Sequence, residues 1–73
     1  MSATLEEARA AKSHAHEVFD RLAPVAGVGI TRVADGYGVK VNLQRAPDPG
    51  VVLPGEVDGV PVRVEVVGVI RKA

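Results

Sequence analysis

Two glycine pairs, two histidines and a scatter of carboxylates are the residues of this 73-residue chain whose types invite chemistry. Gly27-Val28-Gly29 and Gly36-Tyr37-Gly38 have the spacing that lets a backbone come close to a phosphate. A dinucleotide fingerprint requires a third glycine where Arg32 stands, and a helix after the strand. A second strand-like run follows instead, so the glycines read as bare positions on a strand face, open to the approach of another element. His14 and His16 suggest a metal pair, but residues two apart on a helix are separated by roughly 200° of rotation and cannot share an ion. His16 with Asp20 reads as a surface contact at helical spacing. No metal and no cofactor is expected.

Nucleophilic catalysis needs a hydroxyl or thiol beside an oriented base. Ser2 and Ser13 lie on or before the exposed part of the same helical stretch that carries both histidines, and no sequence feature orients them as a triad. Asp48, Glu56 and Asp58 fall in one loop, where two acids could act together. Asp58, directly before Gly59, is better explained as a turn residue. The reading is that the chain is not an enzyme.

The elements that would position these residues follow from periodicity. Residues 4–22 carry Leu5, Ala8, Ala11, Ala15, Val18, Phe19 and Leu22 on one helical stripe. Thr4 and Glu7 fit a capping box, Glu17 and Arg21 a favourable i,i+4 pair, and Pro24 stops the helix. Strands are expected at about 27–34, 37–45 and 60–70. With Asp35-Gly36 as a two-residue turn, the hairpin pairs Arg32 with Val39, Ile30 with Val41 and Val28 with Leu43. Val28, Ile30, Val39, Val41 and Leu43 then share one face, and the last strand alternates Val60, Val62, Val64 and Val66 against Pro61, Arg63 and Glu65. Pro61 marks an edge or a strand entry, and Gly68 a bulge. The Pro- and Gly-rich connection, residues 46–59, is too long for a simple turn. The expected fold is a single α+β domain, α-β-β-β: one helix on one face of a three-stranded, mostly antiparallel sheet.

Composition narrows the function classes. There is no cysteine, one Phe, one Tyr and no Trp, so no disulfide or thiolate metal site can reinforce a small core of valine and alanine. That predicts help from oligomerisation or a partner. The formal net charge is zero and no basic tract occurs, which argues against nucleic-acid binding. No run approaches membrane-spanning length, and MSATLEEARA lacks the pattern of a secretory signal, so a cytoplasmic location is expected.

Gly27-Val28-Gly29, Leu53-Pro54 and Val57-Asp58-Gly59-Val60-Pro61-Val62, taken together, resemble the small N-terminal accessory module that precedes the catalytic domain in some bacterial trypsin-like serine peptidases. The likeness runs from the end of the helix to Gly68, and its motifs are structural. No Gly-Asp-Ser-Gly segment is present, so the resemblance implies an accessory module and no peptidase activity.

The surface left for function is the sheet face away from the helix, expected to carry Gly27, Gly29, Thr31, Lys40, Asn42, Arg63 and Glu65. The reading is a non-catalytic protein-interaction or self-assembly module, with a protein partner or a second copy, and no nucleic acid or membrane. Two alternatives come from other classes. One is a small peptidase regulator or inhibitor, inserting the 46–59 loop into a cleft. The other is a small-ligand binding protein using an oligomer interface.

Overall fold

The computed structural model describes residues 3–34 and 36–68. Helix α1 spans Leu5–Asp20. Thr4 caps it as expected: its Oγ1 accepts from the Glu7 N–H at 3.1 Å, and its own N–H donates to Glu7 Oε1 at 2.9 Å. Each bond satisfies a backbone donor that the first turn leaves without an intrahelical partner. At the far end the N–H groups of Leu22 and Ala23 both reach the Phe19 carbonyl, closing the helix before Pro24. The buried stripe is Ala8, Ala11, Ala15 and Phe19. Three alanines let the helix axis lie close to the sheet, and Phe19 supplies the largest buried side chain. Leu5, placed on the same stripe by its spacing, remains exposed at the open end.

Four strands follow: β1, Val25–Val33; β2, Gly36–Leu43; β3, Glu56–Val57; and β4, Val60–Val66. They form one mixed sheet in the order β1-β2-β4-β3, with α1 lying over β1 and β2. The three-stranded expectation is corrected by β3, which pairs with the start of β4. Asp58 and Gly59 join the two with φ of 53° and 77°. Positive φ at both central residues is what a tight hairpin of matching twist demands, and Asp-Gly supplies it. Val57 and Val60, on either side of the turn, are both buried in the core.

The second correction concerns β4, which runs parallel to β2, with Val39 opposite Val62 and Leu43 opposite Val66. An antiparallel arrangement was expected. Residues 44–55 carry the chain back along the molecule so that β3 descends and β4 ascends beside β2, the long crossover that a parallel pair requires. The third correction is the register of the first hairpin. Val33 pairs with Gly36, Arg32 with Tyr37, Ile30 with Val39 and Val28 with Val41. Gly36 is thus a strand residue, and each partner differs by two from the expected one. A shift of two keeps every side chain on its face, so the apolar set stays together. This register also puts the Arg32 guanidinium 5.7 Å from the centre of the Tyr37 ring, a cation–π contact that the other would forgo. Asp35, and the expected continuation of the last strand through Val69 and Ile70, lie outside the described residues. Gly68 falls beyond the end of β4, and the bulge expected there depends on that same undescribed continuation. The observed bulge is at Ala26, the one extra residue between Val25 and Gly27, whose partners Leu43 and Asn42 are adjacent.

The core is the α1 stripe against Val39, Val41 and Leu43 of β2, all fully buried, flanked by half-buried Val25, Val28 and Ile30 of β1. At the β4 end the helix no longer covers the sheet, leaving Val64 and Val66 exposed by 37% and 50%.

Candidate interaction surface

The paired registers bring the seven expected surface residues onto one face. Gly29, Lys40 and Arg63 form one row across β1, β2 and β4; Gly27, Asn42 and Glu65 form the next. Thr31 stands opposite Gly38 at the end of the face. Every one of these side chains points away from the buried set on its strand, because successive residues alternate across the pleat.

Three features distinguish this face. A side chain at Gly27 or Gly29 would meet no atom within 4 Å, so the β1 side of the face is a bare floor. Lys40 Nζ lies 3.7 Å from Glu65 Oε2, a half-exposed pair that contributes about 0–1 kcal/mol. Directly opposite Glu65 in register, the Asn42 side-chain oxygen is buried without a hydrogen-bond partner among the described residues. An unpartnered buried polar atom costs about 1–3 kcal/mol, so it is an unspent acceptor in the middle of the face.

The edges of the sheet differ sharply. The β4 edge is covered at its start by β3, with the Val62 N–H also held by the Gly55 carbonyl at 2.9 Å, and it carries Pro61, Arg63 and Glu65. Short covering strands, proline and charge are the usual protections of an exposed edge. The β1 edge has no strand beyond it among the described residues, and Arg32 is its one charge. Leu43 accepts from Val67 on the β4 side, while the Gln44 N–H reaches back to the Pro24 carbonyl. Backbone groups therefore alternate along β2, and those of Asn42, Lys40, Gly38 and Gly36 face β1. Their partners Gly27, Gly29, Thr31 and Val33 are satisfied, whereas the N–H and C=O groups of Val28, Ile30 and Arg32 point outward.

The residues considered for chemistry are placed as follows. His14 is oriented after all: its Nδ1 lies 3.0 and 3.1 Å from the two carboxylate oxygens of Asp58, tying α1 to the β3–β4 turn. The two residues are 44 apart in sequence, and the one sequence signal for the contact was Asp58 as a turn residue. Both side chains are about half exposed. His16 and Asp20, like Glu17 and Arg21, form no ion pair among the described residues. Ser2 lies outside them. No group of three or more metal-ligating side chains occurs among the described residues. A separate open hollow of about 280 Å³ lies between the end of α1 and residues 45–48, where Arg21 and Arg45 are balanced by Asp20 and Asp48. No described helix is long and apolar enough to cross a membrane.

No protein-family model matches the chain, and neither the curated proteins nor the solved structures contain a match to it.

Proposed function

We propose that the chain is a non-catalytic interaction module that assembles through the β1 side of its sheet with a protein partner or a second copy. The observation that supports this reading is the β1 edge: Val25–Val33 with outward-pointing backbone groups, one charge and no covering strand among the described residues, beside the bare floor at Gly27 and Gly29. An unprotected edge is a template for another strand, and pairing there satisfies donors and acceptors at little side-chain cost. The small core adds a reason, since a chain of this size buries a modest fraction of its surface alone.

Arg32→Pro tests the proposal. The Arg32 N–H points away from β2, so proline removes an edge donor and leaves the hairpin ladder intact. Sedimentation equilibrium of the natural chain should show a species heavier than the monomer, and the variant should shift toward the monomer with its circular dichroism unchanged. A natural chain that stays monomeric up to millimolar concentration would rule out self-assembly. Equal assembly of chain and variant would move the interface off β1.

A further inference from the structure

We infer that the partner on the β1 edge is a second copy of this chain, joined as an antiparallel two-fold pair centred on Ile30. The inference rests on the assembly reading and adds the occupant and the register. The bulge at Ala26 and the hairpin end at Val33 bound a regular stretch, Gly27–Val33, whose midpoint is Ile30. A two-fold axis through an antiparallel pair can exchange two hydrogen bonds at its centre only where that residue's N–H and C=O face outward, and Ile30 meets this condition. Ile30 then bonds Ile30 of the partner subunit, and Val28 and Arg32 bond Arg32 and Val28 of the partner subunit. Every outward backbone group of the regular stretch is satisfied.

The side chains are self-complementary in the same register. On the polar face Gly29 stands opposite Thr31 of the partner subunit, and Gly27 opposite Val33 of the partner subunit. Each bare position, with nothing within 4 Å of where a Cβ would be, thus receives a β-branched neighbour from the other copy. On the helix side Ile30, half-buried while its β2 neighbour Val39 is fully buried, gains Ile30 of the partner subunit beside it, and Val28 gains the aliphatic stem of Arg32 of the partner subunit. The two Arg32 side chains sit four residues apart along the ribbon, about 13 Å, so like charges do not oppose each other. The same operation on β4 fails: centred on Val64 it drives Val66 of each copy into the edge position beside Val62 that Gly55 already occupies. The product is a continuous eight-stranded sheet with both helices on one face.

Cysteine pairing reads the register directly, because the natural chain contains no cysteine. Gly29 and its opposite Thr31 form a non-hydrogen-bonded pair, with Cα atoms about 4.5 Å apart, which is within disulfide range. Gly29→Cys and Thr31→Cys chains are prepared separately and oxidised alone or mixed, with sedimentation of each reduced sample alongside. The expected result is a covalent dimer in the mixture, at least tenfold above either variant alone. Assembly by sedimentation without cross-linking in the mixture overturns the register and leaves the interaction reading standing. Cross-linking of a Gly29→Cys with a Gly27→Cys chain instead would place the axis on Val28 and overturn the Ile30 centre. A monomer under all conditions overturns the second-copy partner as well.

Discussion

Gly38 offers the most discriminating perturbation of the fold. A Cβ at this position would lie 2.9 Å from the Pro61 carbonyl oxygen and 3.1 Å from Val33 Cγ1. Backbone oxygen cannot swing aside as a flexible side chain can, so Gly38→Ala must push β4 away from β2 or deform the hairpin. Overpacking of this kind costs about 1–3 kcal/mol. Against it stands the reduced freedom of the unfolded chain, which favours alanine by about 0.4–1 kcal/mol. The net effect is a loss of about 1–2 kcal/mol, which for a domain of this size lowers the melting temperature by roughly 5–15 °C. Gly29→Ala is the matched control on the same face: it has open space and an ordinary φ, so only the favourable term remains and the melting temperature rises by about 2–8 °C. Thermal melts followed by circular dichroism at low concentration measure both. Because the unyielding backbone contact exists only where Pro61 lies beside Gly38, while Val33 Cγ1 belongs to a side chain that can give, a Gly38→Ala chain as stable as Gly29→Ala would refute the placement of β4 beside β2.

Phe19→Ala removes the largest buried side chain from the α1–β2 contact and should cost about 3–5 kcal/mol. That is comparable with the whole stability of a small domain, so urea denaturation should find the variant largely unfolded without denaturant. Thr4→Ala deletes the cap and should cost about 1 kcal/mol in the same assay. The Thr4 backbone N–H, which donates to the Glu7 carboxylate, and after it the Thr4 hydroxyl hold that carboxyl below its ordinary pKa. A lowered carboxyl favours the folded state above the ordinary glutamate range, and that contribution is lost as pH falls through the lowered value. Helicity at the α1 start should therefore decline on acidification through that window in the natural chain, and change less in Thr4→Ala. A natural chain whose helicity does not change through that window would remove the Glu7 contribution from the account.

How much of this was readable beforehand depended on which symmetry each signal breaks. The α1 stripe and the sorting of Val28, Ile30, Val39, Val41 and Leu43 to one face follow from periods of 3.6 and 2, and those periods are in the residue pattern itself. The hairpin register was not readable from that pattern, because a shift of two residues preserves both faces; the Arg32–Tyr37 contact that accompanies the observed register has no period. The direction of β4 is invisible for a similar reason. Val60, Val62, Val64 and Val66 alternate identically whether the strand runs up or down. Strand β3 consists of Glu56 and Val57 alone, too short for any pattern, although Asp58-Gly59 was read as a turn and is what folds it back. The candidate face came out complete, since face membership survives both errors. The unprotected edge did not, because strand order decides which strand is outermost, and that is set by the crossover through residues 44–55.

Amide exchange along β1 tests the central claim most directly. In an isolated molecule Gly27, Gly29, Thr31 and Val33 donate to β2, while Val28, Ile30 and Arg32 donate to solvent, so protection should alternate residue by residue. At concentrations where the chain assembles, the account predicts slow exchange at all seven positions, and dilution should release Val28, Ile30 and Arg32 while the other four stay protected. An alternating pattern that persists at every concentration, with assembly present by sedimentation, would contradict it and place the interface elsewhere on the molecule.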